Sequence, residues 1–183
     1  MKGFSLLEKM FLAIVVLMLT AAPLLAQSEF PRAQVFGGYS YLSADTSGLS
    51  GRESLNGWNG QASVNLNRWL GLTADFGGYY GSPQGVTVHD FSYVFGPTLT
   101  YRAQHFAPFF HALFGGNHIS GSAAGMSGSD NAFAVVIGGG LDLPFKSSWG
   151  LRLAQVDWLR TNHFSTSQNN VRVSTGVFFQ FGK

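Results

Sequence analysis

Five stretches of this 183-residue chain alternate apolar and polar side chains with a period of two. Successive side chains of a strand point to opposite faces, so this period predicts strands with one apolar and one polar wall. Trp58, Gly60, Ala62, Val64 and Leu66 alternate with Asn59, Gln61, Ser63, Asn65 and Asn67. The same pattern runs through Leu70–Tyr79, Phe91–Arg102, Phe133–Leu143 and Val171–Phe181. Three further segments are less regular. Gln34–Leu42 is apolar on both faces, which leaves its phase open, and Phe109–His118 sets Phe110, Ala112 and Phe114 against His111, Leu113 and Asn117. Trp149–Leu159 slips out of phase, and a bulge near Ala154-Gln155 would return Val156 and Trp158 to the apolar face. The sum is eight strands of about 9 to 13 residues, against about 9 to 11 for a tilted strand that crosses a bilayer.

The connections alternate in length. Ala44–Leu55, Ser82–His89, Ile119–Asn131 and Arg160–Asn170 read as long polar loops, while Arg68-Trp69, Gln104-His105 and Pro144–Ser148 read as short turns. Long loops at one end and short turns at the other are the plan of an outer-membrane barrel. The predicted class is therefore all-β: an eight-stranded antiparallel up-and-down transmembrane β-barrel. A secreted lipocalin-like barrel is the alternative, with the apolar wall inside. Composition decides between them. Only 11% of residues are charged, whereas a water-facing surface carries about 25–35%, so the amide- and hydroxyl-rich wall is expected to be the enclosed one. Trp58, Trp69, Tyr101, Trp149 and Trp158 fall near strand ends on the apolar wall, as interfacial girdles require. Pro97 has no N–H for the ladder, so a bulge or strand end is expected beside it. Phe36-Gly37-Gly38-Tyr39 recurs as Phe76-Gly77-Gly78-Tyr79, and weakly as Phe114-Gly115-Gly116, suggesting hairpin repetition.

Lys2 and Lys9 precede an apolar run from Met10 to Leu19, and Thr20-Ala21-Ala22-Pro23 follow, then Leu24-Leu25-Ala26, with Leu24 larger than the ideal small residue before the cut. This pattern predicts an export signal cut near Ala26, leaving one barrel domain over 27–183. Gly3-Phe4-Ser5-Leu6-Leu7-Glu8 also resembles a type IV prepilin leader, but the strands that follow are unlike a pilin helix. The chain has no cysteine, which excludes a disulfide scaffold, a thiolate metal site and a lipoprotein anchor. No lysine/arginine cluster marks a nucleic-acid footprint.

Val35-Phe36-Gly37-Gly38-Tyr39-Ser40-Tyr41, Asn56-Gly57-Trp58-Asn59, Phe95-Gly96-Pro97, Gly138-Gly139-Gly140-Leu141-Asp142 and Arg172-Val173-Ser174-Thr175-Gly176 resemble stretches of the small outer-membrane β-barrel ("porin family") proteins. OmpA, OmpX and the opacity proteins share that architecture. The strand ending Phe178-Phe179-Gln180-Phe181 is similar to their aromatic C-terminal signature. The resemblance covers nearly all of 33–183 and implies residence in a bacterial outer membrane, with outer-membrane lipid as the surrounding partner. It implies a fold more than an activity.

The polar wall carries Asp75, Asp142 and Asp157 with Arg102, Arg152 and Arg172, which predicts a lumen of compensated charges. Asp157 is expected opposite Arg172, and Asp142 diagonal to Arg152. An eight-stranded interior is just wide enough for side chains to fill, which disfavours a diffusion pore. His163-Phe164-Ser165 resembles the His-x-Ser of outer-membrane lipid A deacylases, making His163 and Ser165 weak catalytic candidates; the acid and the residues following the serine in that family are missing. His89, His105, His111, His118 and His163 show no metal-ligand spacing, and no cofactor is expected. The expected role is non-enzymatic: envelope integrity, surface interaction through loops 44–55, 82–89, 119–131 and 160–170, or a very narrow conductance, in a monomer.

Overall fold

The computed structural model describes residues 30–45, 51–82, 87–123, 126–145, 148–163 and 166–182. The expected leader at 1–26 and the candidate Ser165 lie outside them. Eight strands follow in order: β1 (Ala33–Asp45), β2 (Arg52–Asn65), β3 (Leu70–Gly81), β4 (Thr87–Thr100), β5 (Ala107–Ala123), β6 (Met126–Pro144), β7 (Trp149–His163) and β8 (Thr166–Phe181). Each pairs antiparallel with its neighbours, and β1 pairs with β8 from Ala33↔Phe181 to Ser43↔Val171, closing the barrel. Closure satisfies within the wall the backbone groups that lipid cannot.

The strands are longer than the alternation indicates, 12 residues in β3 and 19 in β6. The excess lies in segments that read as loops. Ile119–Asn131 is mostly ladder, running through Ser120↔Ser129 and Gly121↔Gly128 to Ala123↔Met126. Arg160–Asn170 likewise pairs up to His163↔Thr166. A Ser/Gly-rich ladder has no apolar wall and so no sequence signature, yet pairing still satisfies its N–H and C=O groups.

The apolar wall faces outward. Phe133 is 64% exposed and Leu99 55%, whereas Asp75 and Arg172 are fully buried inside. A lipocalin-like barrel requires the opposite, so that alternative fails. Trp69 stacks on Tyr101 with ring centroids 5.3 Å apart, and Trp149 meets Phe145 at 4.8 Å, both beside short turns. Trp58 donates to the Tyr80 hydroxyl at 3.4 Å nearer the other end. Trp149 and Trp158 stand nine residues apart on β7. Leu153 and Ala154 together span one ladder step, so at about 3.4 Å per step and a tilt of about 40° the height is about 21 Å, near the roughly 25 Å apolar band of an outer-membrane barrel.

Local irregularities fall in two classes. In β7, Arg152 pairs with Gly176 and Gln155 with Ser174, so Leu153 and Ala154 oppose one residue. This bulge is where the phase slip places it. It turns Leu153 and Ala154 both outward and leaves Arg152, Gln155 and Asp157 all inward. Around Pro97, by contrast, there is no bulge or strand end. Register with β3 runs unbroken through Gly96↔Thr73 and Pro97↔Leu72, while the ladder to β5 skips both residues and resumes in the same register. A gap in one seam accommodates the missing donor, because the other seam holds the strand in place.

The β1 phase resolves with Gln34, Phe36, Ser40 and Leu42 inward. The Phe-Gly-Gly-Tyr echo therefore reverses: Phe36 is buried where Phe76 faces out, and Tyr79 is buried where Tyr39 faces out.

Phe114 lies mid-wall, paired with Phe95 and Val135. Phe114→Arg is expected to destabilise the vesicle-reconstituted barrel by about 2–4 kcal/mol, the cost of arginine near a bilayer midplane. Urea titration followed by tryptophan fluorescence measures this, and an unchanged midpoint contradicts the outward assignment.

Candidate functional site

The lumen is packed in two layers. The layer nearer the short turns is ionic. Arg172 sends both Nη atoms to Asp75 at 2.8 Å and its Nε to Asp157 Oδ2 at 2.7 Å. His111 Nε2 lies 2.8 Å from the other Asp157 oxygen. Arg152 grips Asp142 side-on, with Nε at 2.7 Å and Nη2 at 3.0 Å. Its guanidinium lies 4.2 Å from the ring centroids of both Phe36 and Phe109, whose faces attract a cation. Gln61 and Gln155 join the two clusters: both accept from Arg152 Nη1 at 2.6 Å, Gln61 donates to Asp75 and Gln155 to Asp157. Gln34 on β1 donates to Asp142 at 2.8 Å. Seven strands thus contribute to one connected network, all but β4, whose Thr98 shares a separate bond with Thr73.

Sequence position explains how these groups meet. The β7 bulge brings Arg152 and Gln155 to the same wall, and the β7–β8 register sets Asp157 opposite Arg172. Asp142 faces Arg152 directly rather than diagonally. Gly138, opposite Asp157, makes the room: a Cβ there would stand 2.1 Å from Asp157 Oδ1. Arg102 departs from the expected set. Its strand ends at Thr100, so it sits at the short-turn mouth, where it donates to the Arg68 carbonyl instead of a lumen carboxylate. Burial lowers its pKa from the ordinary value, and Asp142 opposes that shift. A space of about 20 Å³ remains beside Arg102, Asp142 and Arg152, room for about one water.

The second layer, toward the long hairpins, is apolar. Leu42, Leu55, Val94, Leu113, Val136 and Leu159 are fully or almost fully buried in one cluster with Tyr79 and Ala134. Tyr79 joins the layers, its hydroxyl accepting from Arg172 at 3.3 Å. The amide- and hydroxyl-rich wall expected inside is thus interrupted by an apolar layer. These residues interrupt the polar alternation at a single position in most strands and at two in β6, and only closure collects them. Gln61 and His111 are legible on one wall of their strands, but nothing in one strand shows which side chain on another it meets.

The remaining candidates are at the rim. His163 ends β7 opposite Thr166, and its proposed partner Ser165 lies outside the described residues. Glu53 sits on β2 opposite Ala44, separated from β8 by β1. Among the described residues, no group of three His, Asp or Glu side chains is placed to hold a metal ion.

Removing Arg172 leaves Asp75 and Asp157 without their guanidinium. Arg172→Met is expected to cost about 3–5 kcal/mol, as for other broken buried ion pairs. Adding Asp75→Asn and Asp157→Asn should recover part of the loss in the urea midpoint. No recovery would mean that shape, not charge, holds this layer.

No curated protein matches the chain. Among solved structures, Neisserial surface protein A superposes with a TM-score of 0.70 at 16% identity, over 81% of this chain and 97% of that one. Ail, the attachment invasion locus protein of Yersinia pestis, gives 0.60 at 15% identity, over 81% and 99%. The outer membrane protein OprG of Pseudomonas aeruginosa gives 0.55 at 9% identity, over 84% and 97%. At such identities the likeness is one of fold. The family model described as the outer membrane protein beta-barrel domain matches residues 11–181. With its apolar exterior, closed sheet and that match over most of its length, the chain belongs to the outer membrane protein β-barrel family.

Proposed function

We propose that this barrel is a non-enzymatic, non-conducting outer-membrane protein that acts through its extended hairpin rim. The observation that carries this reading is the doubly filled lumen. Solute moving along the axis would have to part the Arg172–Asp75–Asp157 cluster and then the Leu42–Leu159 apolar layer. Breaking the first leaves buried charge unpaired, and the second offers an ion no ligand. In planar bilayers the purified barrel is expected to give no current steps under voltage; reproducible steps that vanish with the protein would replace this reading with narrow conductance.

A catalytic role finds little support. A Ser–His pair needs an acid to orient the histidine, and Glu53, the described glutamate, is remote from the β7–β8 hairpin. Unchanged lipid A acylation on expressing the wild type and a His163→Ala/Ser165→Ala variant agrees with the non-enzymatic reading; wild-type-specific deacylation ends it.

The rim reading rests on the strands that continue past the aromatic belt, above all the β5–β6 hairpin. It also requires export. The leader is proposed to be removed near Ala26, with the barrel inserted as a monomer. Intact-mass measurement of protein from cell envelopes should give a chain starting at Gln27; a mass retaining Met1 to Ala26 would make this segment a permanent part of the molecule.

A further inference from the structure

The outward face of β4, β5 and β6 changes chemistry within one cross-strand row. Tyr93 and Phe133 face lipid below it. The transition row is Phe91, His118 and Asn131. Above it, His89 aligns with Ser120 and Ser129, and Thr87 with Ser122 and Ser127. Small serines flanked by larger imidazoles leave a hollow of about 420 Å³, within the range of small-ligand pockets.

The lining defines what fits. It holds hydroxyls, two imidazoles and the backbone of Gly121 and Gly128, with no Lys, Arg, Asp or Glu. Each hydroxyl donates once and accepts twice. His118 Nδ1 lies 2.8 Å from Asn131 Oδ1 and donates to it, so in the neutral ring Nε2 keeps its lone pair as an acceptor. The His89 ring stands edge-on to Tyr80, centroids 5.4 Å apart, which ties the hollow to the outer aromatic belt. Hydroxyls and imidazoles with no Lys or Arg among them suit a ligand of many neutral hydroxyls and give a phosphate no guanidinium or ammonium to pair with.

We propose that this hollow binds a neutral saccharide, the sugar headgroup of a glycolipid standing in the same leaflet. The source follows from position, since the hydroxyl rows begin directly above the lipid-facing aromatics, at headgroup height. The inference deepens the rim reading and rests on it, but the conductance measurement concerns only the lumen, so the two fail separately.

The test uses the whole mature chain in phosphatidylcholine nanodiscs containing galactosyl diacylglycerol. Saturation-transfer NMR reads the galactose ring protons as the glycolipid fraction is raised. Wild type is expected to show saturable transfer, and Ser120→Val/Ser129→Val to bind about tenfold more weakly through loss of two ordinary hydrogen bonds. A gel shift on boiling verifies that the variant is folded. Absent transfer, or equal transfer in both proteins, overturns the site. Displacement of the sugar by phosphatidylglycerol would make it an anion site and overturn it as well. Soluble methyl β-galactoside provides the second arm; binding as tight as that of the glycolipid overturns the lipid-linked source.

Discussion

Antiparallel pairing of β1 with β8 is the constraint on which the rest depends. Without it the sheet would present two edges of unpaired N–H and C=O groups to hydrocarbon, where nothing satisfies them. Closure also creates an inside. Once the wall is a tube of eight strands, its inner side chains have no solvent to face and must satisfy one another. The lumen network is a consequence of closure rather than an independent design.

The two lumen layers solve that problem differently. In the ionic layer each carboxylate meets a guanidinium, and amides of Gln61 and Gln155 take up the remaining lone pairs and protons. Buried ion pairs contribute little net stability, but removing one partner is costly. The layer therefore makes the closed register costly to break while adding little net stability of its own. In the apolar layer, Leu42, Leu55, Leu113 and Leu159 fill space with no polar group to satisfy. Together they fill the lumen, while the ladders of β5 and β6 rise beyond the aromatic belt.

Much of this was legible in the chain. Alternation marked the strands and which wall meets lipid, because a period of two has one meaning in a strand and the polar wall was too poor in charge to face water. The β7 bulge was legible as a phase slip, and the Asp157–Arg172 pair followed from counting back from the hairpin. The strand ends were not legible, since Ser120 to Ser129 pair through backbone alone and carry no apolar signature. Pro97 misled for a related reason: its missing donor predicts a break, but a strand held on its β3 side tolerates a gap on the other.

Element type, the number of strands, the hand-over from lipid-facing to enclosed residues and all of the inside charges but Arg102 are legible along the chain. Those are properties of single strands, written in residues two apart. Tertiary structure decided the partners. Shear between neighbouring strands sets which inward residues share a level, and that brought Arg152 between Phe36 and Phe109, put His111 on Asp157, left Arg102 at the mouth and gathered leucines from four strands into one plug. No pattern along one strand encodes that offset, because it is a relation between strands that exists only after the barrel closes.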